Sequence, residues 1–423
     1  MPGIEVVRRR RFTAAPQGRE ASAQQIGTRL RDRPDYWRLW LVGLVVFGVR
    51  WLEMLAVAVF AYQRTHSAFV VALLTMLRML PMALFGAVIG ALAERIERRT
   101  ALIFVVSSML LTSLTLALLA WTGALAVWHL AIASLCNGIG WTSDNPVRRT
   151  MIGEVVGADR MSAAMSIDVG ANNASQILGP VVGGVLLANV GIAGTFTASV
   201  LCYLLALAAA LQVRHRNSVS PPDAAGVFGR IAAGLLLVRR DRRLAATLVV
   251  TVIYNVFGWP FTSMVPVIGQ GSLHLGAAGV GLLASMSGVG SFIGAVAIAL
   301  AVRPPFFARL YLGAVIGYLL LVPLFALAPL PFLAGGVLLL TGLANSGFSI
   351  MQATLVFLAA PAEMRSRVFG VLSVCIGAGV IGFLLIGLLA GAVGAASAVV
   401  ATGIEGLLAL WLTRRWWAPL TRH

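Results

Sequence analysis

The chain has 423 residues, of which 59% are hydrophobic and 11% charged, with a mean hydropathy of +0.91. That balance excludes a soluble domain, which needs far more surface charge, and places the chain in lipid. All 32 basic residues behind the formal charge of +17 are arginine; without lysine, Schiff-base chemistry and a phosphate-loop lysine are excluded.

In chain order, residues 1–35 read as a basic, disordered cytoplasmic tail, with Arg8, Arg9, Arg10 and Arg11 attracted to anionic headgroups. No apolar segment follows them closely enough for a cleaved signal peptide. Apolar runs of about 20 residues, the length that crosses a bilayer, fall at 38–62, 68–93, 100–122, 125–147, 163–189, 192–213, 244–269, 276–302, 309–329, 331–358, 368–392 and 395–413. The spacing therefore predicts an all-α membrane protein of twelve transmembrane helices. Gaps as tight as Thr122-Gly123 and Ala328-Pro329 make neighbouring spans antiparallel.

Arginines crowd into alternate gaps and both ends, whereas the opposite gaps hold only Arg64. By the positive-inside rule both termini are cytoplasmic. The long break at 214–243, with Pro221-Pro222 and an apolar stretch closed by Arg239-Arg240, divides the chain into bundles at 36–213 and 244–413. A short cytoplasmic tail, 414–423, follows the second. Within the break, 227–238 is too short to span and reads as an amphipathic helix lying at the interface. A faint repeat places Arg160, Ser166 and Gly170 in the same spacing as Arg367, Ser373 and Gly377, at equivalent points of the two halves.

Gly90-Ala91-Leu92-Ala93-Glu94-Arg95-Ile96-Glu97-Arg98-Arg99 resembles the signature loop of the major facilitator superfamily, with Glu94 where the family usually has aspartate and Glu97 where it has glycine. Gly179-Pro180-Val181-Val182-Gly183-Gly184 is similar to the motif associated with drug and proton antiporters. The stretches 141–153, 155–160 and 360–365 resemble the branch of enterobactin exporters and macrolide efflux proteins. The resemblance implies two pseudo-symmetric six-helix bundles, a monomer, and proton-coupled efflux by alternating access in the bacterial inner membrane. A siderophore or metabolite exporter and a lysophospholipid flippase are the rival transport readings, and a non-transporting receptor or scaffold is the rival of another class. Relatives commonly carry a glycine–acid pair where this chain has Arg50-Trp51, with Glu53 nearby.

Charges inside a span cost several kcal/mol unless paired or hydrated, so each marks a candidate site. Arg50 lies about 18 Å into the first span at 1.5 Å per residue, Glu53 follows three residues on, and Arg78 reaches similar depth in the second. They are expected to converge near the midplane, either as a structural pair or as a proton and cargo site. Asn137 in the fourth span and the four-residue series Asp168, Asn172 and Gln176 in the fifth add polar lining. Asp168 also suits the N-terminal end of its helix. Tyr254, Asn255 and Trp259 supply polar and aromatic surface from the second half, whose single intramembrane charge is Glu405. Gly90, Glu94, Arg95, Arg98 and Arg99 are expected to face Asp144 and Arg148 as a cytoplasmic latch, and Gly179, Pro180, Gly183 and Gly184 to form a pivot. Cys136, Cys202 and Cys375 lack metal or disulfide spacing. No cofactor, metal or nucleic acid is implied; the expected partners are small-molecule cargo, protons and the bilayer. The spans hold no paired acids or histidine–acid set of the kind an enzyme needs.

Overall fold

The computed structural model describes residues 30, 32–93, 97–215, 227–361 and 364–421. Nearly all of the N-terminal tail, Glu94 and Arg95 of the signature loop, Pro221-Pro222 and the last two residues lie outside the described residues.

Every regular element among the described residues is helical. Four long helices, α1 Pro34–Thr65, α2 Ala68–Ala93, α3 Arg98–Trp121 and α4 Val127–Val156, lead into α5 Ala158–Gln212. After α6 Val227–Arg240 come α7 Arg242–Ile253 and α8 Val265–Gly271, joined by a π-helical turn Tyr254–Gly258 and a 3-10 segment Trp259–Met264. The remainder is α9 Ala277–Ala301, α10 Phe307–Ala326, α11 Pro331–Ala359, α12 Arg365–Gly377, α13 Gly379–Val393, α14 Ala395–Leu412 and the short α15 Arg414–Trp417. An all-helical chain is what lipid demands, because each helix satisfies its own backbone hydrogen bonds.

Among the described residues, ten helices are long and apolar enough to cross a membrane. The count of twelve from the sequence differs at two places. Its fifth and sixth spans are one helical run, α5, interrupted only at Gly191, whose φ of 66° and ψ of −173° reverse the chain within a single residue. That left-handed region is open to glycine and strained for other side chains. The second difference is α4, which is not among the ten and carries Asp144, Arg148, Arg149 and Glu154.

Boundaries shift for the same reason. The expected gap between 147 and 163 is helix on both sides of Gly157, since α4 runs to Val156 and α5 starts at Ala158. Arg148 and Arg149 there pair with Asp144 and Asp168 of the flanking helices, and Glu154 with Arg98 and His215. The expected seventh span, 244–269, is broken after Ile253, where Gly258, Pro260 and Pro266 interrupt regular α-helical hydrogen bonding. A helix does form in the long break, as α6.

Close backbone approach, made possible by glycine, sets the packing. A Cβ on Gly183 would lie 2.8 Å from the Leu52 carbonyl oxygen of α1, and one on Gly184 2.5 Å from the Ala277 carbonyl oxygen of α9. One turn of α5 is thus gripped from both sides. On the opposite flank, a Cβ on Gly377 would lie 3.0 Å from the Ala83 Cα of α2. Near the Thr65 end of α1 the halves also touch through Gln270, whose amide reaches the Val59 carbonyl at 3.5 Å. Large apolar side chains such as Phe104, Leu300 and Phe332 stay mostly exposed, as a lipid-facing surface requires.

Candidate transport cavity

Between the halves lies a cavity of about 1070 Å³ of empty space, including its solvent-open part, bounded by α1, α2, α5, the broken α7–α8 segment, α9, α10, α11 and α13. The broken segment positions one wall. Leaving the α-helical repeat at Tyr254 and Trp259 brings Trp259, Phe261, Thr262 and Ser263 to the lining, and such breaks recur at functional sites. Facing them, Ser291 donates to the Gly342 carbonyl at 3.0 Å, and the Asn345 amide donates to Ser291 at 3.3 Å. Tyr254 donates to the Asn345 side-chain oxygen at 2.8 Å and stacks on Phe348 with 3.7 Å between centroids. The rest of the lining is largely apolar, including Trp51, Met54, Met79 and Phe383.

Arg50 is the one charged side chain among the described residues that line the cavity. Its guanidinium carbon sits 3.6 Å from the centroid of Trp141 and 5.3 Å from that of Trp51. Stacking of this kind stabilises a cation without neutralising it. Its Nε has no hydrogen-bond partner, and Arg50 enters no ion pair with a carboxylate among the described residues.

Of the three charges expected to converge, Glu53 lies within electrostatic reach of Arg78 and Arg78 of Arg50, but only Arg50 lines the cavity. Residues three apart on a helix point about 60° from one another, and here that angle sends Glu53 behind the cavity wall. At 1% exposure, Glu53 accepts from the Ser113 hydroxyl at 2.6 Å and from the Asn137 amide at 3.2 Å. Arg78, also buried, lines a small side space that shares Met54, Ala58 and Thr75 with the cavity. Its Nε is unpartnered, as is the Asn137 side-chain oxygen.

A second charge cluster lies nearer the Pro34 end of α1. Arg148 is fully buried, bonded to Asp144 at 3.2 Å and paired with Asp168. Its carbon lies 4.9 Å from the Phe47 ring centroid, and it fills the space left by Gly43. Arg149 approaches the other oxygen of Asp168 at 3.1 Å. Asp168 therefore belongs to this cluster and not to the cavity, a correction to the polar stripe read from the sequence. Of that stripe, Gln176 lines the cavity, whereas Asn172 is half-buried and outside the lining.

The expected latch is also rearranged. Arg98 pairs with Glu154, and Arg99 donates to the carbonyls of Val213 at 2.7 Å and Leu211 at 2.9 Å, capping the end of α5. Neither of these contacts reaches Asp144 or Arg148. Gly90 lies in α2 near its end. In the second half Trp259 lines the cavity, Tyr254 stands one residue behind it through Asn345, and Asn255 is buried with its amide on the Thr251 carbonyl at 2.9 Å. Gly179 packs on α1, with its would-be Cβ 2.5 Å from that of Trp51, and Pro180 packs on α9 beside Gly281. Sequence reasoning missed the role of Trp141 as the platform for Arg50 and that of Ser113 as the partner of Glu53. An aromatic and a serine in apolar spans carry no signal of their own.

A family model described as transmembrane secretion effector matches residues 33–421. Among curated proteins, the Staphyloferrin A transporter of Staphylococcus aureus is 21% identical over 226 residues, which is 53% of this chain and 56% of that protein. Macrolide efflux protein A of Streptococcus pyogenes is 21% identical over 239 residues, 55% of this chain and 58% of that protein. The matches thus span somewhat over half the length of these relatives. Of solved structures, a nucleoside transporter superposes with a TM-score of 0.74 at 11% identity, covering 90% of this chain and all of that one. A POT family transporter in complex with 5-aminolevulinic acid superposes with a TM-score of 0.73 at 12% identity, covering 92% of this chain and 96% of that one.

Proposed function

Because the chain belongs to the transmembrane secretion effector family, within the major facilitator superfamily of multi-pass membrane transporters, we propose that it is a secondary active exporter of a small anionic or amphiphilic organic molecule. Twelve crossings follow if α5 counts as two spans hinged at Gly191 and α4 as one. They divide into two six-helix bundles, with both termini cytoplasmic and the protein acting as a monomer in the bacterial inner membrane. Transport proceeds by rocking of the halves about the grip of α5 between α1 and α9, since a tightly packed turn is also a pivot.

The observation that carries the cargo assignment is Arg50: among the described residues it is a cation with no ion-paired acid, stacked on Trp141 at the wall of a cavity that no described carboxylate lines. An anionic group entering there gains a charge-assisted hydrogen bond from the guanidinium. The name of the staphyloferrin transporter makes a siderophore-like anion the first candidate to test. Glu53 is the proposed proton carrier, because it is a buried carboxyl screened from the cavity and held by neutral donors. Its loading then alters the charge next to Arg78 without competing for cargo.

Reconstitution in vesicles tests both parts. Siderophore-like anions, organic cations and lysolipids are presented under an imposed pH gradient to wild type, Arg50→Gln and Glu53→Gln. Gradient-driven movement of an anion that needs both side chains supports the reading. Transport of cations alone, undiminished in Arg50→Gln, overturns the cargo assignment, and gradient-driven transport undiminished in Glu53→Gln overturns the coupling assignment.

A further inference from the structure

A second cleft, about 670 Å³ of space open to solvent, lies where α1 and α3 meet the end of α5, lined by Arg38, Arg99, Leu211, Gln212, Val213 and Arg214. Three guanidinium groups face one space. Asp35 is the carboxylate bonded at its edge, accepting from Arg38 at 2.7 Å and from the backbone N–H groups of Arg214 at 3.1 Å and His215 at 2.9 Å. Three cations against one carboxylate leave a surplus of two positive charges.

These guanidiniums also keep unused donors. Each arginine carries five N–H bonds. Arg38 directs NH1 to Asp35, Arg99 uses Nε and NH2 on the two carbonyls, and the Arg214 side chain is exposed without a hydrogen bond or ion pair among the described residues. The cleft is therefore rigid on one side, where Arg99 is fixed to the helix end, and adaptable on the other.

Its surroundings fit a lipid better than a free anion. Below the arginines, Leu201, Leu204, Leu205 and Leu211 form an exposed apolar stripe on the last arm of α5, at the three- and four-residue spacing of one helix face. On the same first turns of α1, Trp37 and Trp40 pack edge to face at 5.6 Å, with Trp40 donating to the Ile167 carbonyl of the first arm of α5, and tryptophans gather at the membrane interface. A basic cleft that meets an exposed apolar stripe at Leu211 matches the two chemistries of one phospholipid. We propose that this cleft binds the phosphate of an anionic phospholipid headgroup, with an acyl chain along the leucine stripe, tying α1, α3 and the end of α5 together where the segment between the halves begins.

The test is native mass spectrometry of the purified full-length protein with phosphatidylglycerol, phosphatidylcholine or inorganic phosphate, with thermal melting in the same mixtures. Arg38→Gln/Arg214→Gln is the main variant. Arg214→Gln alone guards against misfolding, since that side chain has no structural partner, and Arg303→Gln in the other half is the control. Phosphatidylglycerol is expected to bind wild type and raise its melting temperature, phosphatidylcholine much less, and the affinity to fall about fivefold for each arginine lost near the surface. Inorganic phosphate protecting equally well keeps the anion site but moves its source off the membrane. Equal binding of the two lipids, or phosphatidylglycerol binding unchanged in both variants, overturns the proposal.

Discussion

Arg50 and Trp141, ninety-one positions apart, lie face to face with 3.6 Å between guanidinium carbon and ring centroid. The pairing explains how a charge stays on the wall of an otherwise uncharged cavity. Arg50→Gln is expected to lower transport of an anionic cargo by about tenfold or more, as loss of a hydrogen bond to a charged group does. Trp141→Ala should cost only a few fold, the range of a partly exposed cation–π contact. Initial uptake rates into inverted vesicles check the order of the two effects.

Glu53 and its donors separate coupling from folding. Ser113→Ala removes one hydrogen bond worth about 1 kcal/mol and is expected to lower the melting temperature while gradient-driven transport persists. Glu53→Gln should do the reverse: near-normal melting, cargo exchange retained, and no response to an imposed pH gradient. A Glu53→Gln protein that still concentrates cargo against its gradient refutes this division.

The buried Arg148 is expected to be the most sensitive position in the first bundle. Arg148→Leu leaves the buried Asp144 without its cation and Asp168 with only the half-exposed Arg149, and breaking a buried pair this way costs about 3–5 kcal/mol. Arg149→Gln, at a half-exposed partner of the same Asp168, should be nearly silent because exposed pairs contribute little. Size-exclusion profiles in detergent after graded heating compare them.

Gly184→Leu tests the grip on α5. A Cβ there would lie 2.5 Å from the Ala277 carbonyl oxygen, so α5 and α9 must separate, at a cost of about 1–3 kcal/mol for overpacking. Transport should fall steeply while cargo binding survives. Gly170→Ala in the same helix meets nothing within 4 Å and is expected to behave as wild type.

The helix order was legible because lipid imposes a simple rule on apolar length. Where that rule failed, polar groups satisfied one another: Arg148 with Asp144 and Asp168 let α4 and α5 run on as helix through an expected gap. The i, i+4 pairing of Asp144 with Arg148 can be read from spacing. The Arg148–Asp168 pair cannot, since twenty residues and a chain reversal at Gly157 intervene. The same limit split the site. Depth along a helix placed Arg50 and Glu53 together, but which of two faces meets the cavity depends on neighbours such as Asn137 and Trp141, which linear order does not reveal.

Gly191 converts length into twist. Because the reversal inside α5 takes one residue at φ 66°, there is no slack to absorb an insertion or a deletion. Adding one amino acid to the arm after it would turn the residues beyond by about 100° around the helix axis, carrying Tyr203 out of the core and Leu201 off the outer surface together. A change of a single codon at this place acts on the protein as a rotation, whereas the same change in an ordinary surface loop acts only on its reach.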